Sequence, residues 1–239
     1  VAIGFEALKT EDANGNSVAI GYRALKTQNA GAEAYNVAVG VDAGTAVTTG
    51  IKNTFIGAEA GTAATTANFS TAVGFQSLTA NTEGSNTAFG ALSLKTVTTG
   101  GNNVAIGREA LEATNGDENT AVGYRAGKAV TTGNQTTLVG SNSGRTLTTG
   151  VNNVAIGYAA LDSDTKGDNS VAVGHSTLNS QNFSTNTDSN NVAVGYQAGL
   201  SVTTGVSNTL IGSTSGDAIT DADHNVGLGF GTLGGNVLG

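Results

Sequence analysis

Cysteine, proline, methionine and tryptophan are all absent from the 239 residues. Without cysteine there is no disulfide framework, and the redox compartment is left unmarked. Only two histidines are present, His175 and His224, and no acid–base pair recurs at a fixed spacing. A catalytic site therefore has little material to work with, and the chain reads as non-enzymatic, with no cofactor and no metal. Charged residues make up 12% of the chain, about half the usual share of ~25%. The net charge is −8, and the ten Lys and Arg are scattered, with none beyond Lys166. That balance argues against a phosphate-binding surface, so nucleic acid is not an expected partner. No apolar run reaches the ~18 residues that a membrane-crossing helix requires, and no membrane insertion is expected of this segment.

What is abundant is glycine, 36 in all, and it is periodic. Aligned on the last residue of Asn16-Ser17-Val18-Ala19-Ile20-Gly21, the chain shows anchors at Gly4, Gly21, Gly40, Gly57, Gly74, Gly90, Gly107, Gly123, Gly140, Gly157, Gly174, Gly195, Gly212 and Gly229. Nine of the thirteen steps are 17 residues, and the others are 16, 19 or 21. A fixed period of this size is the mark of a solenoid. Residues 1–239 are read as one repeat array, an all-β parallel solenoid. Val1 already stands inside a repeat, and 236–239 resembles the start of another. Neither end carries a clear capping repeat, so a segment of a longer protein is expected.

The residue three before each anchor is β-branched in all fourteen copies, and the residue directly before it is Ile or Val in twelve. Alanine stands between them in ten copies. β-branched, small, β-branched, glycine is a short strand with two unlike faces. The expected core ladder is Val18, Ile20, Val37, Val39, Val104, Ile106, Val154, Ile156, Val171, Val173, Val192 and Val194. The alanine column, with Ala19, Ala38, Ala72, Ala105, Ala121, Ala155, Ala172 and Ala193, is then expected to face partner chains around a symmetry axis. The alternative for that column is a second strand of the same chain, or water.

Seven of the twelve aromatics follow an anchor glycine directly, among them Tyr22, Tyr158 and Tyr196. They are expected to stack on the surface rather than to hold a ligand. The next position is often charged or amide, as in Glu6, Arg23 and Asp42, and is expected to face solvent. Four residues after the anchor stands Leu or Gly. Where a second Gly-type copy occurs, the middle strand residue is enlarged to Phe55, Leu138 or Leu210, which would fill the space of a missing leucine. Val-Thr-Thr-Gly and its variants, at 47–50, 97–100, 130–133, 147–150 and 202–205, read as a second short strand and a glycine turn. The asparagines ahead of the strands, such as Asn53, Asn103 and Asn208, are placed to form a ladder at the corner. Extra residues fall in polar loops at 28–35 and 179–190.

Asn16-Ser17-Val18-Ala19-Ile20-Gly21 and Asn152-Asn153-Val154-Ala155-Ile156-Gly157 resemble the head repeats of trimeric autotransporter adhesins. The fuller unit, Asn191-Val192-Ala193-Val194-Gly195-Tyr196-Gln197-Ala198-Gly199 with Val202-Thr203-Thr204-Gly205, is still more similar to repeats of bacteriophage tail fibres. The resemblance implies a left-handed β-roll in a homotrimer, with two further copies of the chain as partners. It implies an extracellular attachment fibre, on a virion tail, that meets a glycan or protein receptor on a cell surface. The alternative it implies is the head of a bacterial surface adhesin that binds host matrix or cells.

Other motifs are weaker. Asp162-Ser163-Asp164-Thr165-Lys166-Gly167 begins like a calcium loop, but Lys166 occupies a ligand position and Val173 replaces the closing acid. Asp217, Asp221 and Asp223 read as a solvated loop. Adjacent threonines point to opposite faces of a strand, which disfavours an ice-binding surface.

Overall fold

In a computed structural model, residues 1–11, 16–30, 33–82 and 84–235 are described. The imperfect copy read at 236–239, and two residues of the 28–35 loop, lie outside them. The chain is an all-β parallel solenoid of about 13 coils with ~17-residue turns. It divides into two compact units, Val1–Asp117 and Glu118–Gly239.

The first unit carries β1 (Ala2–Ile3), β2 (Val18–Ile20), β3 (Val37–Val39), β4 (Thr54–Ile56), β5 (Thr71–Val73), β6 (Thr87–Phe89) and β7 (Val104–Ile106). Each pairs in parallel with the next, column on column: Val18 opposes Val37, which opposes Thr54, and Ala19 opposes Ala38. The second unit repeats the scheme with β8 (Thr120–Val122), β9 (Thr137–Val139), β10 (Val154–Ile156), β12 (Val171–Val173), β14 (Val192–Val194), β15 (Thr209–Ile211) and β16 (Val226–Leu228). It adds a two-stranded ladder, β11 (Gly167–Asp168) with β13 (Thr187–Asp188).

The two faces of the strands are reversed relative to the sequence-based expectation. Ala19, Ala38, Ala72, Ala105, Ala121, Ala155, Ala172 and Ala193 are all 0% exposed. They point into their own coil, which is the alternative reading of that column, and face no partner. The β-branched columns, Val18 and Ile20 through Val192 and Val194, lie on the outer face and are half-buried or exposed. They are not the core ladder. The reason is volume. The narrow interior is already occupied by the turn leucines (Leu25, Leu78, Leu94, Leu111, Leu161, Leu178) and by the first residues of the Val-Thr-Thr-Gly segments (Val47, Val97, Val130, Leu147, Val202), all fully buried. A methyl group is what remains for the strand to supply.

The exchange between strand and turn confirms this geometry. Phe55, Leu138 and Leu210 are fully buried. A Cβ built on Gly44 would stand 2.9 Å from both Phe55 Cδ2 and Leu25 Cδ2, and one on Gly144 would stand 2.8 Å from Leu138 Cδ2. At Gly61 it would collide with the Phe55 ring. Large strand residue with glycine, or alanine with leucine, fills the same space, as the sequence pattern implies.

Backbone conformation explains why the turn position alternates only between Leu and Gly. Leu25, Leu78, Leu94, Leu111 and Leu178 have φ of 46–54°, a left-handed region that β-branched residues rarely adopt. The anchor glycines are more constrained still. Gly57 has φ 132°, and a Cβ there would lie 2.5 Å from the Gly74 carbonyl oxygen of the following coil. Only glycine has access to this stack.

The Val-Thr-Thr-Gly segments are bends rather than second strands. They still hydrogen-bond from coil to coil, for instance Thr131 N–H to Thr148 O at 2.8 Å and Thr203 N–H to Thr220 O at 2.7 Å. The corner asparagines do form a buried column. Asn53 Nδ2 donates to Ala67 O at 2.7 Å and its Oδ1 accepts from Ser70 N–H at 2.9 Å; Asn208 Nδ2 donates to Ala222 O and its Oδ1 accepts from Asn225 N–H, both at 2.9 Å. Each asparagine thus satisfies a carbonyl and an amide of the next coil that would otherwise be buried unpaired.

Candidate functional site

The anchors Gly21, Gly40, Gly57, Gly74, Gly107, Gly123, Gly140, Gly157, Gly174, Gly195 and Gly212 align the copies, so outward residues form columns. Two columns flank each buried alanine. In the first unit these are Val18, Val37, Thr54, Thr71, Thr87 and Val104, and beside them Ile20, Val39, Ile56, Val73, Phe89 and Ile106. Ile106 is 41% exposed and Phe89 56%. The second unit presents the same face, from Thr120 and Val122 to Val226 and Leu228. No residue of these columns is charged. An apolar sheet face of this kind is what interaction surfaces use.

Beside this face the aromatics stack on one another, as expected. Phe5 and Tyr22 lie 5.6 Å apart at 11°, and His175 lies between Tyr158 and Tyr196 at 5.1 and 5.4 Å. Their ring faces are turned toward each other.

The position after them is half-buried rather than fully solvated, and it links coils. Arg23 Nε lies 2.7 Å from Asp42 Oδ1, and Lys26 Nζ lies 2.6 Å from Glu6 Oε2. Hydrogen bonds from Lys26 and then Lys9 lower the Glu6 carboxyl to about 2. The bond to Asp42 raises the Arg23 guanidinium, and the bond to Asp162 raises that of Arg145.

The acidic residues at 162–168 diverge instead of converging on a cation. Asp162 pairs with Arg145 at 2.8 Å. Asp164 is fully buried and accepts from Gln181 Nε2 at 2.6 Å and Gly167 N–H at 3.0 Å. Asp168 accepts from Val151 N–H at 2.7 Å. Desolvation raises its carboxyl, opposed by the Val151 bond, and nearby Asp188 and Asp164 raise it further. Among the described residues no three His, Cys, Asp or Glu side chains form a metal-holding group. Asp223 likewise caps Val206 N–H. Sequence reasoning missed the inward role of Asp164 and Gln181, because a buried acid in a polar loop reads like an exposed one.

No family model matches the chain, and neither a curated protein nor a solved structure is significantly similar to it. The outer strand face therefore carries the functional reading by itself. Among the described residues no helix is long and apolar enough to cross a membrane.

Proposed function

We propose that the chain is a non-enzymatic segment of an extracellular attachment fibre, of the bacteriophage tail-fibre kind, and that it works as a homotrimer. The observation that carries this reading is the uncharged, apolar outer strand face repeated in each unit. Its partners are two further copies of the same chain, packed through the Val/Thr and Ile/Val columns. Copies can approach there despite the net charge of −8, because the charges lie off these columns. Ile20, Ile56 and Ile106 are still 36–41% exposed, so covering each supplies a part of the roughly 1.5–3 kcal/mol that burying a fully exposed side chain gives, and the row repeats with every coil. Three identical surfaces would then present any weak receptor contact three times and raise avidity without a tight single site. The receptor is a glycan or protein of a cell surface, and the fibre belongs to a virion.

The Asn-Ser-Val-Ala-Ile-Gly motif favours a second reading, the head of a bacterial trimeric adhesin. Amphipathic ten-residue strands elsewhere in the native polypeptide would decide for that reading. Both readings require the trimer. Light scattering at micromolar concentration is expected to return three times the 23.5 kDa chain mass. A folded monomer would overturn the proposal.

A further inference from the structure

One corner of the first unit departs from the repeat. Between the turn residue that accepts the corner side chain and the next corner residue, neighbouring coils place two residues: Asn68 and Phe69 between Ala67 and Ser70, and Gly101 and Asn102 between Gly100 and Asn103. The intervening coil has only Ser85 between Gly84 and Asn86. This deletion accounts for the 16-residue step from Gly74 to Gly90. It leaves a cavity of ≈360 Å³ lined by Thr66, Asn68, Phe69, Gly84 and Ser85, a size within the range of small-ligand sites.

Phe69 is the aromatic member of this lining. It is 59% exposed, and its φ is 57°. The same left-handed place in other coils is held mostly by polar residues, such as Lys52, Asn102, Gln135, Asn152 and Ser207, and by one other aromatic, Tyr35. The left-handed backbone is common to this position in the coils, but a large apolar ring left exposed there buries little of its surface in the fold and is open to a ligand. The ring is fixed from the preceding coil by Lys52 Nζ, 5.2 Å from its centroid. The cavity adjoins it from the following coil. Among the described residues the polar lining is neutral. Asn68 Oδ1 accepts from Ile51 N–H at 2.8 Å, and its Nδ2 has no partner among the described residues. The Ser85 and Thr66 hydroxyls donate to Asn68 O and Thr82 O, both at 3.3 Å, and keep their oxygen lone pairs free.

We propose that this hollow binds a neutral saccharide. The apolar C–H face of a pyranose would lie on the Phe69 ring, Asn68 Nδ2 would donate to a ring hydroxyl, and the Ser85 and Thr66 oxygens would accept from others. An aromatic platform with separate neutral donors and acceptors suits a sugar, which offers one apolar face and hydroxyls able to do both. The site is built within one chain. It rests on the attachment reading only for the cell surface where such a sugar would be met, so a chain that fails to trimerise leaves the inference standing.

Saturation-transfer NMR on the whole chain tests it, with the methyl glycosides of glucose, galactose, mannose and N-acetylglucosamine at millimolar concentration. Transfer to the C–H protons of at least one of them is expected. It should persist in Phe69→Trp and vanish in Phe69→Asn, a substitution that the left-handed backbone favours and that should melt no lower than wild type. Absence of transfer to all four glycosides in the wild type overturns the proposal. So does transfer that survives Phe69→Asn, or that is lost in Phe69→Trp.

Discussion

Residue identity in this chain is set by which way a side chain points and by how much room is left there. Ala88 and Thr87 are neighbours in one strand, yet Ala88 is fully buried and Thr87 lies on the outer face. Ala88→Val adds two methyl groups where Leu94 and Val97 already fill the coil. It should cost about 1–3 kcal/mol by overpacking. Thr87→Val changes the outer column and should stay within about 0.5 kcal/mol. Urea unfolding of the two variants checks this; the opposite ranking would restore the Val/Ile columns as the core. The alternation itself was legible in the sequence, because period two is unambiguous in Val-Ala-Ile. Which face turns inward was not. A β-branched column looks like a core when the leucines that fill the interior stand in a turn, in a backbone conformation that no local pattern announces.

At the scale of the element, the coil is a sequence of corners, each with its own chemical rule. The buried asparagine column and the Phe55–Gly61 exchange were both readable from position, because each demands a particular residue type at a fixed offset. The Val-Thr-Thr-Gly bend was misread as a strand. Its residues favour extended backbone, but its run is too short to hold strand geometry before the glycine. The β11–β13 ladder carries a strain of another kind. It places Asp168 opposite Asp188 in register, with Asp168 desolvated and its carboxyl raised above the ordinary 3.8. A group raised in the fold favours its protonated form there. Its contribution is fully present below about pH 3.8 and is lost as pH rises through the raised value. Asp168→Asn keeps an oxygen for Val151 N–H and removes the charge. The variant should therefore have a higher urea midpoint than wild type at pH 7, and the difference should close at pH 3. Glu6 runs the other way. Held at about 2 by Lys26 and Lys9, it contributes above its ordinary 4.5 and ceases to do so as pH falls through 2. A midpoint of Asp168→Asn equal to wild type at pH 7 would contradict the assignment.

For the whole molecule, the question is what covers the outer columns. Along the stack each inner strand already has both neighbours, so the proposed assembly would rest on side chains, and those of the outer columns are mostly Ile, Val and Thr, without charge. The repeat and its solenoid class could be read at this scale from glycine spacing alone. The outward face now proposed for assembly could not, since the expected one followed from the same inference that put alanine outside. The chain has no cysteine, so a single Val73→Cys on the outer face of β5 gives a unique spin-label site. Packed sheets stand about 10 Å apart, so labels on copies that meet through this face should lie on the order of 20 Å from one another or less. Pulsed dipolar spectroscopy on the labelled protein is the most direct measurement. The account predicts a short intermolecular distance at Val73. Absence of any intermolecular coupling in the folded protein would contradict it.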